Sequence, residues 1–209
     1  MVRTFNSAAM PKCLMKLSKA KQSLQRCRSA AGFQEFASHW SDFLTHTGGV
    51  LNALEAGANG TPQGRQWWNA DVKKKARADP LLRYMHQARN VEEHELNPTS
   101  RLQPRAVGIG LGGENIMIDR AEITREFFEN PQVAAARQAW RTSDGRIPTV
   151  VYIPEGPRLA TLADVRYKTV FEPPQEYNGK RLRDNSPIVV AELYIAYLED
   201  LIATAGEFS

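Results

Sequence analysis

The chain has 209 residues, 42% of them apolar and 24% charged, with two cysteines. That content excludes a disordered chain, and the cysteine count excludes a disulfide scaffold. No run approaches the roughly eighteen apolar residues of a membrane span, and Met1–Phe5 opens no apolar stretch with a small-residue cleavage site. A cytoplasmic protein with reduced Cys13 and Cys27 is therefore expected. The net charge of +4 is unevenly spread. Arg3, Lys12, Lys16, Lys19, Lys21, Arg26 and Arg28 all precede Glu35, the first acidic residue. Such a block suits an anionic partner, with nucleic acid the commonest, or forms a solvated helix face with a loose basic terminus.

The elements follow in chain order. Leu17, Ala20, Leu24, Cys27 and Ala31 mark one face of an amphipathic helix over 13–30, with Lys12, Lys16 and Lys19 on a separate stripe and Gly32 as the stop. Phe33, Phe36, Trp40 and Phe43 predict a second helix with an aromatic core face; Gly48-Gly49 is a point at which it kinks or breaks. Residues 57–62 read as a loop, before a short helix with Trp67, Trp68 and Val72 that ends in Lys73-Lys74-Lys75-Ala76-Arg77. Asp79-Pro80 is an N-cap followed by a first-turn proline, opening a helix that runs to about Leu96. Between 103 and 175 the pattern turns to β-branched clusters, Ala106–Ile109, Ile116–Ile118 and Thr149–Ile153, with Asp144-Gly145 as a hairpin-type turn and one or two short helices over 121–141. Ser186-Pro187 opens a last helix to about Ala203. It is apolar on nearly every side, which requires a central position or a subunit interface.

The expected architecture is one α+β domain over 1–209. A helical bundle (13–98 plus 186–206) has its last helix separated from the rest by a β-rich insertion (103–175).

The sharpest functional signal lies on the helix after Asp79-Pro80. At about 100° per residue, Arg83, His86, Arg89, Asn90, Glu93 and His94 share its polar side, opposite Leu81, Met85, Ala88 and Leu96, with Glu92 an intruder among the latter. Histidine, arginine and asparagine together are the groups that handle phosphate, whereas a solvated face more often carries Lys and Glu. Arg89, polar Asn90 and then His94 after four intervening residues resemble the signature of the HEPN superfamily of ribonucleases. The wider run from Asp79-Pro80-Leu81-Leu82 through Ala88-Arg89-Asn90 also resembles a class of bacterial or prophage proteins.

The resemblance implies an antiparallel HEPN-like bundle and a homodimer whose two motifs face each other. It implies metal-independent endoribonuclease activity in a toxin or phage-defence setting, with RNA as substrate and a neutralising antitoxin or regulatory protein as a further partner. His94 is the natural acid or base near neutral pH, and Arg89 offers a fork of donors to a phosphate. Asn90 orients the imidazole or donates to the phosphate. His86, Glu93 and Arg83 are candidate substrate contacts, and Lys12, Lys16 and Lys19 are candidate RNA-backbone contacts. No cofactor is expected.

Other motifs are weaker. Gly108-x-Gly110-x-x-Gly113 has dinucleotide spacing but precedes a strand-like run rather than a helix. No metal is expected at Glu92-Glu93-His94-Glu95, because neighbours on a helix point in different directions and Val91 stands where a carboxylate is needed. His39 and His46 lie two turns apart, too far for joint ligation. The alternative to catalysis is a non-catalytic HEPN-like module that binds RNA or protein.

Overall fold

Pro11 sits in the first turn of helix α1 (Met10–Ser29), where a missing N–H breaks no helical bond. The computed structural model describes residues 5–111, 114–119, 124–141, 145, 148–164 and 169–207. Cys13, Leu17, Ala20, Leu24 and Cys27 form the buried face of α1. Ala31 does not continue that face. The chain turns extended at Ala30 (ψ 129°) and Ala31 is exposed, its N–H donating to the Glu35 carboxylate at 2.8 Å.

Helix α2 (Phe33–Ala58) buries Phe36, Trp40 and Phe43 and runs unbroken through Gly48-Gly49. Its rings stack in series, with centroids 6.1 Å apart for Phe36–Trp40 and 5.2 Å for Trp40–Phe43. The expected kink is replaced by two close approaches. A Cβ on Gly48 would lie 2.7 Å from Arg89 Nε, and one on Gly49 would lie 2.9 Å from Lys16 Cδ. These glycines make room for side chains of other helices, and the surrounding packing outweighs their weak helix propensity.

Helix α3 (Pro62–Trp67) is capped by the Thr61 hydroxyl, which accepts from Gly64 N. It passes through a π-helical turn (Trp68–Val72) into α4 (Lys73–Ala78). Helix α5 (Pro80–His94) starts as read: Asp79 Oδ1 accepts from Leu81 N and Leu82 N at 2.9 and 3.1 Å. Its other oxygen accepts from Asn178 N at 2.7 Å, so one carboxylate caps the helix and holds a distant turn. Leu96 is not on the apolar face. The helix ends two residues earlier and Leu96 is fully exposed. Glu92, the intruder on that face, accepts from the Thr99 hydroxyl at 3.0 Å.

The last helix, α8 (Pro187–Glu207), buries Val190, Ala191, Tyr194, Ile195, Tyr197, Leu198 and Ile202. It packs against α1, α2 and α5. Of the two placements that an all-round apolar helix allows, the central one holds: most of its apolar surface is covered within one chain.

The chain is α+β and divides into two units, 1–101 with 158–209, and 102–157. The inserted unit therefore ends at 157 rather than 175. The short antiparallel pairs β6 (Leu162–Asp164) with β7 (Thr169–Phe171), and β8 (Glu176–Tyr177) with β9 (Lys180–Arg181), belong to the helical unit. In that unit, Tyr84 on α5 donates to the Ala160 carbonyl at 2.7 Å. Strands β1 (Ser100–Gln103) and β5 (Gly156–Leu159) pair with each other.

The inserted unit has a sheet of order β3-β2-β4, from β2 (Ala106–Leu111), β3 (Glu114–Asp119) and β4 (Thr149–Ile153). Gly108 and Gly110 lie in its central antiparallel strand, so the glycine spacing is a strand feature. Two short helices, α6 (Arg125–Glu129) and α7 (Pro131–Ala139), occupy the stretch left open by the sequence. The Arg137 guanidinium stacks 3.8 Å over the Phe128 ring. Asp144 of the expected hairpin turn lies outside the described residues; Gly145 has φ 80°, and the described elements on either side of it are α7 and β4. Among the described residues no helix is long and apolar enough to cross a membrane.

Candidate functional site

Helix α5 buries Leu81, Leu82, Tyr84, Met85, Ala88 and Val91, and this leaves Arg83, His86, Arg89, Asn90, Glu93 and His94 on its more open side. The face read from the sequence exists. Its members nevertheless divide between two places.

At the C-terminal end, Arg89 and Glu93 form a two-pronged ion pair one turn apart. Nε donates to Oε1 at 3.1 Å and Nη2 lies 3.0 Å from Oε2. Arg89 Nη1 donates weakly to Asn90 Oδ1 at 3.4 Å. The stem of Arg89 lies over Gly48 of α2, and its side chain is only 20% exposed. His94 is the last residue of the helix, 74% exposed, with Nε2 3.9 Å from Glu93 Oε2. Glu93 thus stands between the arginine and the histidine of the motif, and the imidazole is open to solvent.

Toward the N-terminal end, Arg83, His86 and Arg89 line a cavity of about 270 Å³ between α2, the π-helical turn, α4, α5 and α8. Its walls are Leu51, Trp68, Val72, Ala76, Leu82, Tyr194 and Tyr197, with Asn52, Glu55, Lys73 and Arg77 completing it. His94 is not among the lining residues. Lys73 is engaged by Glu55 at 2.8 Å, and this contact first of all holds the Glu55 carboxyl below its ordinary value. Burial pushes the Tyr194 and Tyr197 phenols up, so both are neutral donors across the physiological range.

Partial desolvation, and then the Arg89 charge, lower the pKa of His86. A base whose folded pKa lies below its unfolded one binds fewer protons when folded. Its contribution to stability is complete above the unfolded value and declines as pH falls through it. An NMR titration is expected to place His86 below the ordinary histidine range of about 6.5, with Arg89→Gln moving it part of the way back. A His86 that titrates at or above the ordinary range would contradict this arrangement.

The basic stripe of α1 is placed as expected. Lys12 and Lys19 are exposed, whereas the Lys16 stem packs over Gly49 of α2. Lys16 and Lys19 both help to lower the pKa of His46, behind burial as the first cause. Cys13 and Cys27 are buried, their thiols pushed up to about 11 and about 12, which leaves them unreactive.

The residues that sequence reasoning missed are the aromatic wall and the cationic lip of the cavity. Lys73 and Arg77 were visible only as a charge run, and Tyr194 and Tyr197 only as members of an apolar helix. Nothing local signals that these segments converge.

Comparison with family models, with curated proteins and with solved structures finds no match to this chain.

Proposed function

We propose that this chain is a HEPN-type, metal-independent endoribonuclease that acts as a cytoplasmic homodimer in a toxin or phage-defence setting. The observation that supports this reading is the grouping of Arg89, Asn90, Glu93 and His94 at one end of α5, with the imidazole exposed. In this mechanism His94 takes the proton from a ribose 2′-hydroxyl, whose oxygen attacks the adjacent phosphorus. The 5′-oxygen leaves with the proton that His94 took up, so the imidazole returns to its neutral form and a 2′,3′-cyclic phosphate remains. Arg89 exchanges its contact with Glu93 for the phosphate oxygens, where charge accumulates in the transition state. Asn90 keeps the guanidinium in place, and Glu93 tunes or orients the imidazole. Two copies of this helix end facing each other supply a composite cleft. The deciding experiment is cleavage of RNA by the purified chain in EDTA beside His94→Ala.

Lys12 and Lys19, with Lys16, fit non-specific contact to the RNA backbone. Replacing all three by Gln is expected to lower the slope of log affinity against log salt by about 2, each lost contact on a single strand counting for roughly 0.7. Cleavage at saturating RNA should change little. An unaltered slope would make the stripe a solvated face.

A specific observation favours the second reading, a non-catalytic module that binds RNA or a regulatory protein. The Arg89 guanidinium is already held by Glu93 and its stem is packed over Gly48, as suits a residue that maintains the helix junction.

A further inference from the structure

We infer that the cavity between α2, the π-helical turn, α4, α5 and α8 is a small-molecule site for a flat apolar body that carries a carboxylate or phosphate. This goes beyond the RNA reading and does not rest on it. The volume of about 270 Å³ is near the lower end of the range for ligand pockets, and it matches a two-ring aromatic acid better than a large cofactor. Trp68, Val72, Leu82, Tyr194 and Tyr197 give it aromatic and aliphatic walls, suited to an aryl body.

The lip is cationic, and its charges are not equivalent. Lys73 and Arg89 are matched by Glu55 and Glu93. Arg77 and Arg83 are exposed, and neither has an ion pair among the described residues. Arginine forks take carboxylate or phosphate in two-pronged fashion, so the anionic group belongs between these two residues. Tyr197 Oη adds a second, independent observation. It is buried without a hydrogen-bond partner, in a residue that is itself almost wholly buried, whereas Trp68 Nε1 is directed at the Glu55 carboxylate. A small rotation of the phenol presents its O–H to the π face of an aryl ring, a weak bond that lessens the cost of an unmade one. The π-helical turn that carries Trp68 and Val72 points the same way, because such turns are frequent at functional sites. A nucleotide fits less well, since a base edge has several donors and acceptors and these walls offer few.

The test is calorimetric titration of the full chain, without RNA, using 2-naphthoate, 2-naphthyl phosphate, the neutral 2-naphthalenemethanol and AMP. One or both naphthyl anions should bind, and comparing them tells carboxylate from phosphate. The alcohol should bind about tenfold more weakly, and Arg77→Gln and Arg83→Gln should each weaken the anion about tenfold, as for a lost charge-assisted bond. Ala76→Phe, which fills the cavity, should abolish binding at an unchanged melting temperature. If that variant unfolds, the two exposed arginine variants decide the matter. No binding of either anion, equal binding of the alcohol, insensitivity to both arginines, or AMP binding more tightly than naphthyl phosphate would each overturn the inference. RNA cleavage, measured separately in the absence of these compounds, stands or falls independently of that result.

Discussion

RNA incubated with the purified chain in EDTA is expected to be cut, and His94→Ala is expected to lower the rate by about 10²–10⁴-fold, the usual contribution of general acid–base catalysis. Arg89→Ala should cost on the order of 10²–10³-fold through the lost stabilisation of the phosphorane-like state. The fragments should end in a 2′,3′-cyclic phosphate and a 5′-hydroxyl, because the nucleophile is the neighbouring 2′-oxygen. A 2′-deoxy substitution at the scissile position should therefore block cleavage.

The variants also separate a chemical role from a structural one. His94 is exposed at a helix end, so its loss should leave the melting temperature unchanged. Arg89 is packed on α2, so Arg89→Ala should lower stability somewhat as well, and Arg89→Lys should restore more of the stability than of the rate. Full activity in His94→Ala, cleavage of DNA, or a need for divalent ions would defeat the mechanism. A chain that is monomeric in light scattering at tens of micromolar, roughly ordinary assay concentrations, would defeat the composite cleft. A folded wild type that binds RNA without cutting it would favour the interaction module.

The largest expected effect on stability is at Trp40. It is fully buried in α2 between the rings of Phe36 and Phe43. Trp40→Ala would open a large hole where α2 meets its neighbours and should destabilise the chain by about 3–5 kcal/mol. Trp40→Phe should cost much less. It keeps most of the ring contact and removes Nε1, a buried donor with no partner, so the smaller volume is partly offset. Chemical denaturation of both variants checks this, and equal losses would mean that the indole nitrogen has an unrecognised role.

Several features of the chain are decided within a few residues, and the sequence alone determined them. Asp79 caps α5 because a short carboxylate followed by proline can do so regardless of the rest of the fold. The aromatic face of α2 and the buried face of α1 follow from hydrophobic period in the same way, and the strands β2, β3 and β4 from their clusters of β-branched residues. The polar side of α5, with Arg83, His86, Arg89, Asn90, Glu93 and His94, was legible too, since helix geometry alone assigns residues to a face.

Contacts between distant segments were not legible. Gly48 and Gly49 read locally as breakers, yet they are the places where Arg89 and Lys16 cross α2, and only packing reveals which side chain needs the space. The polar side of α5 reads as one site, but Arg83, His86 and Arg89 open onto the cavity while His94 stands apart at the helix end. The cavity itself joins residues from Leu51 to Tyr197. The apolar surround of α8 gave no sign of which neighbours would cover it, and α1, α2 and α5 do so within one chain. Periodicity states which face of a helix is buried. What buries it, and what space is left between the helices, is decided when the elements pack.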